Sequence, residues 1–92
     1  MIVDFKCSDT QTLFSIGKTK RWTAIKNVAE RKLLLLDNAV TLEDLKAPPG
    51  NRLEALRGDR KGQHSIRINA QWRLCFVWTE QGARGVKIVD YH

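Results

Sequence analysis

The spacing of apolar residues changes character once along this chain of 92 residues, near Pro48-Pro49-Gly50. Before that point the period is helical. Trp22, Ile25, Ala29, Leu33 and Leu36 recur at steps of three or four and define one face of a helix over residues 23–39. Val28, Leu35 and Ala39 widen that face. Lys26, Asn27, Glu30, Arg31, Asp37 and Asn38 fall mainly on the other side. The run Leu33-Leu34-Leu35-Leu36 is one turn of this helix and reads as core. A shorter helix is expected after Ser8-Asp9-Thr10-Gln11, which has the spacing of a capping box. Leu13, Phe14 and Ile16 give it an apolar side, and Gly17 stops it. Residues 2–5 are short and β-prone and read as an opening strand. Thr41-Leu42-Glu43-Asp44-Leu45 resembles a second capped turn.

After the two prolines the pattern alternates with period two. Strands are expected over residues 52–57, 63–69, 72–78 and 86–91. A loop with glycine at both ends, residues 58–62, and a turn at residues 81–85 separate them. Asp59 in that loop reads as a turn former. The expected fold class is α+β: an N-terminal strand and two helices packed on one face of a mainly antiparallel, twisted sheet. All of residues 1–92 form one domain, since a chain of this size has room for a single core.

Side-chain parity decides what the hairpin of residues 63–78 presents. Ile66 and Ile68 share one face, with Ser65 and Arg67 on the other. Leu74 and Phe76 share a face, with Arg73 and Cys75 opposite. Pairing Asn69 with Trp72 would set Ile68 against Arg73. Pairing Asn69 with Arg73 sets Ile68 against Leu74, Ile66 against Phe76 and Arg67 against Cys75, and so separates apolar from polar. That register is preferred, although its connection, Ala70-Gln71-Trp72, lacks the glycine such loops favour. It places Arg67 and Arg73 about two pairs apart on a half-open sheet face. Two rigid guanidinium groups there favour a phosphate guest, which the planar fork bonds in bidentate fashion.

Charge sharpens this picture. Residues 57–73 carry five cations (Arg57, Arg60, Lys61, Arg67 and Arg73) against one acid, Asp59: +4 of the whole-chain +6. Such a balance, with an isoelectric point near 9.8, points to a polyanionic partner. Lys18-Thr19-Lys20-Arg21 is a basic connector, read as a solvated loop or as a second phosphate contact. A hydrophobic content of 42% argues against disorder. No apolar run approaches a membrane span, and the opening MIVDFKCSDT does not read as a secretory signal. Cys7 and Cys75 match no metal spacing and read as reduced thiols of a cytoplasmic protein. No Asp/Glu/His cluster suggests a metal, and no cofactor is expected. His64 alternates toward the packed face and reads as structural; Trp72 and Trp78 read as packing residues.

The stretch PPGNRLEALRGDRKGQHSIRINAQWRLCFVW and the final VDYH resemble a HigB-type toxin of the RelE/ParE superfamily. The joint pattern LxGDRxGxxSIRxNxxWRxxF, followed by DYH, is more specific than any of its pieces, and the likeness covers the whole chain. The resemblance implies the toxin of a type II toxin–antitoxin system with a RelE-like microbial ribonuclease fold. It implies an mRNA interferase that enters the 70S ribosomal A site, built by 16S rRNA, and cuts translated mRNA there. It also implies a cognate HigA-type helix-turn-helix antitoxin and no membrane partner. The toxin alone is expected to be a monomer.

Metal-free cleavage needs a base for the 2′-OH, a cation for the phosphorane and an acid for the 5′-oxygen. In the light of the resemblance, Arg73 is the candidate for phosphorane stabilisation. His92 is the candidate proton donor or acceptor, because histidine titrates near neutrality. Tyr91 orients or stacks the base, or shares the proton transfer. Asp90 fixes the His92 ring or acts as base. Arg57, Arg60, Lys61 and Arg67 hold RNA phosphates, and Gln71 lies where some relatives place a base-contacting amide. Relatives carry histidine where this chain has Glu54. Glu54 either replaces it as general base or pairs with Arg57 or Arg60 and blunts catalysis, which implies a slower or more selective nuclease. The competing expectation is a non-catalytic toxin of the same fold: a gyrase inhibitor, or a ribosome- or nucleic-acid-binding module.

Overall fold

A computed structural model of the chain describes residues 1–90. It contains helices α1 (Ser8–Ile16) and α2 (Lys26–Asn38), then strands β1 (Glu54–Ala55), β2 (His64–Arg67), β3 (Trp72–Thr79) and β4 (Gly82–Asp90). The strands form one antiparallel sheet in the order β1-β2-β3-β4. Both helices pack on one face of it, as the α+β reading expects.

The helical stripe is buried as spaced: Trp22, Ile25, Ala29, Leu33 and Leu36 all lie in the core. Residues 23–39 do not form one helix, however. A 3-10 turn, Thr23–Ile25, precedes α2. The leucine run is core except for Leu34, which is exposed. Opposite α2, the even-numbered residues Ile66, Ile68, Leu74, Phe76 and Ile88 fill the sheet's inner face. Burying one such side chain contributes about 1.5–3 kcal/mol, so this interface dominates stability. Trp72 and Trp78 pack against the same cluster. His64 stacks on Phe76 with ring centroids 6.3 Å apart, which fits its structural assignment.

The caps divide. Gly17 ends α1 at φ 66°, with its N–H bonded to the Leu13 carbonyl. Thr41 and Asp44 form the second capping box. The box expected at Ser8 and Gln11 does not form: α1 starts one residue earlier, with Cys7 as N-cap, and the Gln11 N–H bonds the Cys7 carbonyl.

The expected opening strand is reduced to two isolated parallel bridges, Ile2 to Ala83 and Phe5 to Val86. The cause lies in β4. Cys75 pairs with Lys87 but Val77 pairs with Arg84, so Gly85 and Val86 together face Phe76 in a bulge, with Gly85 at φ 60°. Asp4 turns to meet this bulge and accepts the Gly85 N–H at 2.6 Å. Residues 1–6 still cover the outer edge of β4, which otherwise would present unpaired backbone. The approach is close: a Cβ on Gly82 would collide with the Met1 carbonyl oxygen. Farther along, Thr10 Oγ1 accepts the Ile88 N–H.

Two further boundaries move. A 3-10 turn at Pro49–Asn51 and a left-handed Arg52 occupy the start of the strand expected at residues 52–57, leaving β1 two residues long. The turn expected at residues 81–85 tightens, and Gly82, Ala83 and Arg84 join β4 by pairing with Thr79, Trp78 and Val77.

The hairpin register also differs from the one preferred on sequence. His64 pairs with Phe76, Ser65 with Cys75, Ile66 with Leu74 and Arg67 with Arg73. The shift is two residues, so every side chain keeps its face. The connection becomes Asn69-Ala70-Gln71 instead of Ala70-Gln71-Trp72. Asn69 holds this connection without a glycine: its Oδ1 accepts the N–H groups of Gln71 and Trp72, both at 2.8 Å.

Candidate active site

The face turned away from the helices carries the odd-numbered residues of β2 and β3. Glu54 pairs with Ser65, Ser65 with Cys75 and Cys75 with Lys87, while Arg67 pairs with Arg73 and Arg73 with Val89. These two rows lie side by side. They bring Glu54, Arg67 and Arg73 to one surface, with Arg67 and Arg73 directly opposite each other.

Arg73 is not on a half-open surface as parity alone suggested; it is 8% exposed. The segment that runs from Arg52 into β1 closes over it. Its Nε donates to Ser65 Oγ at 2.7 Å, and its Nη2 donates to the Arg52 carbonyl at 2.6 Å and the Ser65 carbonyl at 3.3 Å. A buried guanidinium needs such acceptors to offset lost hydration. The Glu54 carboxylate lies 4.0 Å from Nη2 and is half exposed. Glu54 therefore meets Arg73, whereas the sequence expected Arg57 or Arg60 as its structural partner.

Glu54, Ala55, Leu56, Arg57 and Arg60 line a groove of about 480 Å³. Arg57 and Lys61 are exposed and Arg60 is half-buried. Among the described residues, Arg57, Arg60, Lys61 and Arg67 have no ion-pair partner. Beneath this layer lies Cys75. Burial pushes its thiol up, and the charges of Arg60, Lys87 and Arg73 pull the other way. Burial, and then the charges of Arg31 and Arg67, hold the Lys32 ammonium below the usual lysine value.

At the end of β4, Asp90 pairs with Trp72 and accepts Gln71 Nε2 at 3.3 Å. Both side chains are exposed. The structure therefore joins Gln71 to Asp90 and Glu54 to Arg73. Tyr91 and His92, two of the four proton-transfer candidates, lie outside the described residues; Asp90 and Glu54, the other two, lie within them. Among the described residues, no group of three or more His, Cys, Asp or Glu comes together to hold a metal.

The basic connector lies elsewhere, between α1 and α2. Lys18, Lys20, Arg21 and Lys26 line a second cavity of about 570 Å³, together with Asp9 and Thr12. Arg21 pairs with Asp9 at 3.3 Å and Lys26 with Glu30 at 2.7 Å, so half of this charge is already matched.

Sequence reasoning missed Ser65, Arg52 and Lys87. Ser65 had a signal, since it alternates onto the face of Arg67. Arg52 acts through its carbonyl, which has no residue-type signature.

A family model described as RelE-like toxin of type II toxin-antitoxin system HigB matches residues 4–92. The chain is 42% identical over 82 residues to Toxin HigB-1 of Vibrio cholerae serotype O1, covering 87% of this chain and 86% of that protein. It is 32% identical over 94 residues to Endoribonuclease HigB of Proteus vulgaris, covering 100% of each. Among solved structures, YafQ from E. coli strain BL21(DE3) superposes with a TM-score of 0.64 at 17% identity, covering 98% of this chain and 91% of that one. A YoeB/ParE toxin from Agrobacterium tumefaciens gives 0.56 at 23% identity, covering 99% and 98%. At these identities the two structures show a shared fold.

Proposed function

We propose that this chain, which belongs to the HigB-like family of RelE-like toxins of type II toxin–antitoxin systems, arrests growth as a metal-independent endoribonuclease that cuts mRNA in the ribosomal A site. The observation that carries the reading is a buried, three-point-bonded Arg73 with a half-exposed carboxylate, Glu54, 4.0 Å away. A full-length relative named an endoribonuclease supports it. Family membership implies an antitoxin partner; a helix-turn-helix antitoxin of HigA type is the proposed one.

In the proposed reaction the 2′-oxygen attacks the adjacent phosphorus and the bond from phosphorus to the 5′-oxygen breaks. The products are a 2′,3′-cyclic phosphate and a 5′-hydroxyl. Glu54 accepts the proton of the 2′-OH. Arg73 stabilises the phosphorane, a role worth on the order of 10²–10³-fold for a single donor. His92, with Tyr91 beside it in sequence, is assigned the proton for the leaving oxygen. Arg57, Arg60, Lys61 and Arg67 hold flanking phosphates, while Gln71, oriented by Asp90, meets a base. A carboxylate in place of histidine sits against the approaching phosphate, so the enzyme is slower than its histidine-bearing relatives.

Primer extension on a reporter mRNA translated by purified ribosomes tests this. New 5′ ends are expected with the wild-type protein. They should fall by about 10²–10³-fold with Arg73→Ala and vanish with a 2′-deoxy nucleotide at the cut. Intact mRNA together with stalled replication would overturn the nuclease and point to the gyrase-directed alternative.

A further inference from the structure

Arg73 is surrounded by groups that allow its guanidinium one orientation. Three acceptors from two segments hold it: Ser65 Oγ at 2.7 Å, the Ser65 carbonyl at 3.3 Å and the Arg52 carbonyl at 2.6 Å. Ser65 is fully buried on β2. Arg52 lies in the turn before β1 at φ 46°, the one non-glycine residue with positive φ among the described residues. That conformation is unfavourable for a residue with a Cβ and persists only where its surroundings enforce it.

The neighbouring Asn51 does the enforcing. It is fully buried, donates its amide to the Leu45 carbonyl at 3.1 Å and accepts Lys32 Nζ at 2.5 Å. Lys32 belongs to α2. A chain of contacts therefore runs from the helix through Asn51 to the turn, and from the turn's carbonyl to the guanidinium. Burying a polar amide and a lysine stem here has no packing advantage over apolar residues. It is accounted for if the direction of the Arg52 carbonyl matters.

We propose that Ser65 and the Asn51-Arg52 turn are positioning residues for Arg73, fixing the plane of its guanidinium in the orientation that meets the phosphorane. The inference rests on the catalytic role of Arg73 given above and adds what sets its geometry. With Nε and Nη2 both tied, the planar fork cannot rotate, and the donors need no reorganisation when charge develops on the phosphate. Misplacement of a catalytic group by about 1 Å costs on the order of 10²-fold.

The test is a double-mutant cycle on single-turnover cleavage at saturating RNA, with melting temperature and RNA affinity followed in parallel. Ser65→Ala should slow cleavage by roughly 10- to 10²-fold and leave RNA affinity unchanged. In an Arg73→Ala background the same substitution should cost nothing further. Arg73→Lys keeps the charge without the two-point hold and should recover little. Arg52→Gly keeps the carbonyl and suits the left-handed φ, whereas Arg52→Val opposes that φ, so Arg52→Val should lower the saturated rate more than Arg52→Gly does. The Arg73 Nε–H resonance gives a readout independent of turnover: slow solvent exchange in the wild type, fast exchange in Ser65→Ala. Equal losses from Ser65→Ala in both backgrounds, full recovery by Arg73→Lys, or an unchanged Nε–H resonance would overturn the positioning role. Wild-type cleavage by Arg73→Ala would overturn the role of Arg73 itself, a separate outcome.

Discussion

Glu54 and Arg73 form an unequal pair, a half-exposed carboxylate 4.0 Å from a buried guanidinium. Solvent screens such a contact, which is worth about 1 kcal/mol or less to the fold. Stability is therefore a weak reason for the carboxylate, and its effect on an incoming phosphate is larger. A negative charge at this point opposes RNA binding, yet it supplies a proton acceptor beside Arg73. Glu54→Gln separates the two effects, because it keeps the bulk and removes the charge. It should tighten RNA binding and slow cleavage by about 10²–10⁴-fold, the usual worth of a general base. Glu54→His should cleave at least as fast as the wild type. Tighter binding with undiminished cleavage by Glu54→Gln would make the carboxylate a brake alone. Measured kcat and KM for the two variants decide it. The residue types of this pair were legible in the sequence, as was the charge cluster around them. Their contact was not: it depends on a left-handed backbone at Arg52 and on which carbonyl that backbone presents, and neither leaves a mark in residue identity.

Elements were legible where periodicity carries the information and illegible where one side chain or one backbone bend does. The stripe from Trp22 to Leu36 and the parity of β2 and β3 placed the core on the correct faces. The hairpin register slipped by two residues because such a slip keeps every face assignment intact, leaving the turn to decide. The turn was decided by Asn69 Oδ1. The opening strand failed for a related reason: the bulge at Gly85 interrupts the edge it would have joined, and Asp4 bonds the bulge. That bond is testable by pH. The Gly85 N–H, and after it Arg84, hold the Asp4 carboxyl below its usual value. A depressed carboxylate contributes stability that is present above its unfolded pKa and is lost as pH falls through its folded pKa. Asp4→Asn should therefore be less stable than the wild type at neutral pH. Its denaturation midpoint should also fall less steeply than the wild type's as the medium is acidified below the ordinary aspartate range. Parallel acid limbs for the two proteins would show that Asp4 does not hold the bulge.

Across the whole molecule, ion pairs match some of the cations and leave those around the groove unmatched. Ion pairs link Arg21 to Asp9, Lys26 to Glu30, Lys46 to Glu43, and Arg84 to Asp4. All four lie on or beside the helices and the amino-terminal edge. Arg57, Arg60, Lys61 and Arg67, around the groove beside Glu54, have no such partner among the described residues. Uncompensated cations on one surface repel one another and attract a polyanion along that surface. They hold phosphates without reading bases, so removing them should weaken binding to all RNA sequences alike. Each phosphate contact to a single strand adds about 0.7 to the slope of log K against log salt. A triple variant, Arg57→Ala with Arg60→Ala and Lys61→Ala, should reduce that slope by roughly 2 if each residue holds one phosphate. The folded state should be unaffected, since none of the three side chains is fully buried. As a control, removal of Lys46, which is paired with Glu43 away from the groove, should leave the slope unchanged. Equal slopes for the triple variant and the wild type, measured by RNA binding over a range of salt concentrations, would mean that the nucleic acid takes another path. The cavity between α1 and α2, with Lys18 and Lys20 on its rim, would then be the next surface to test.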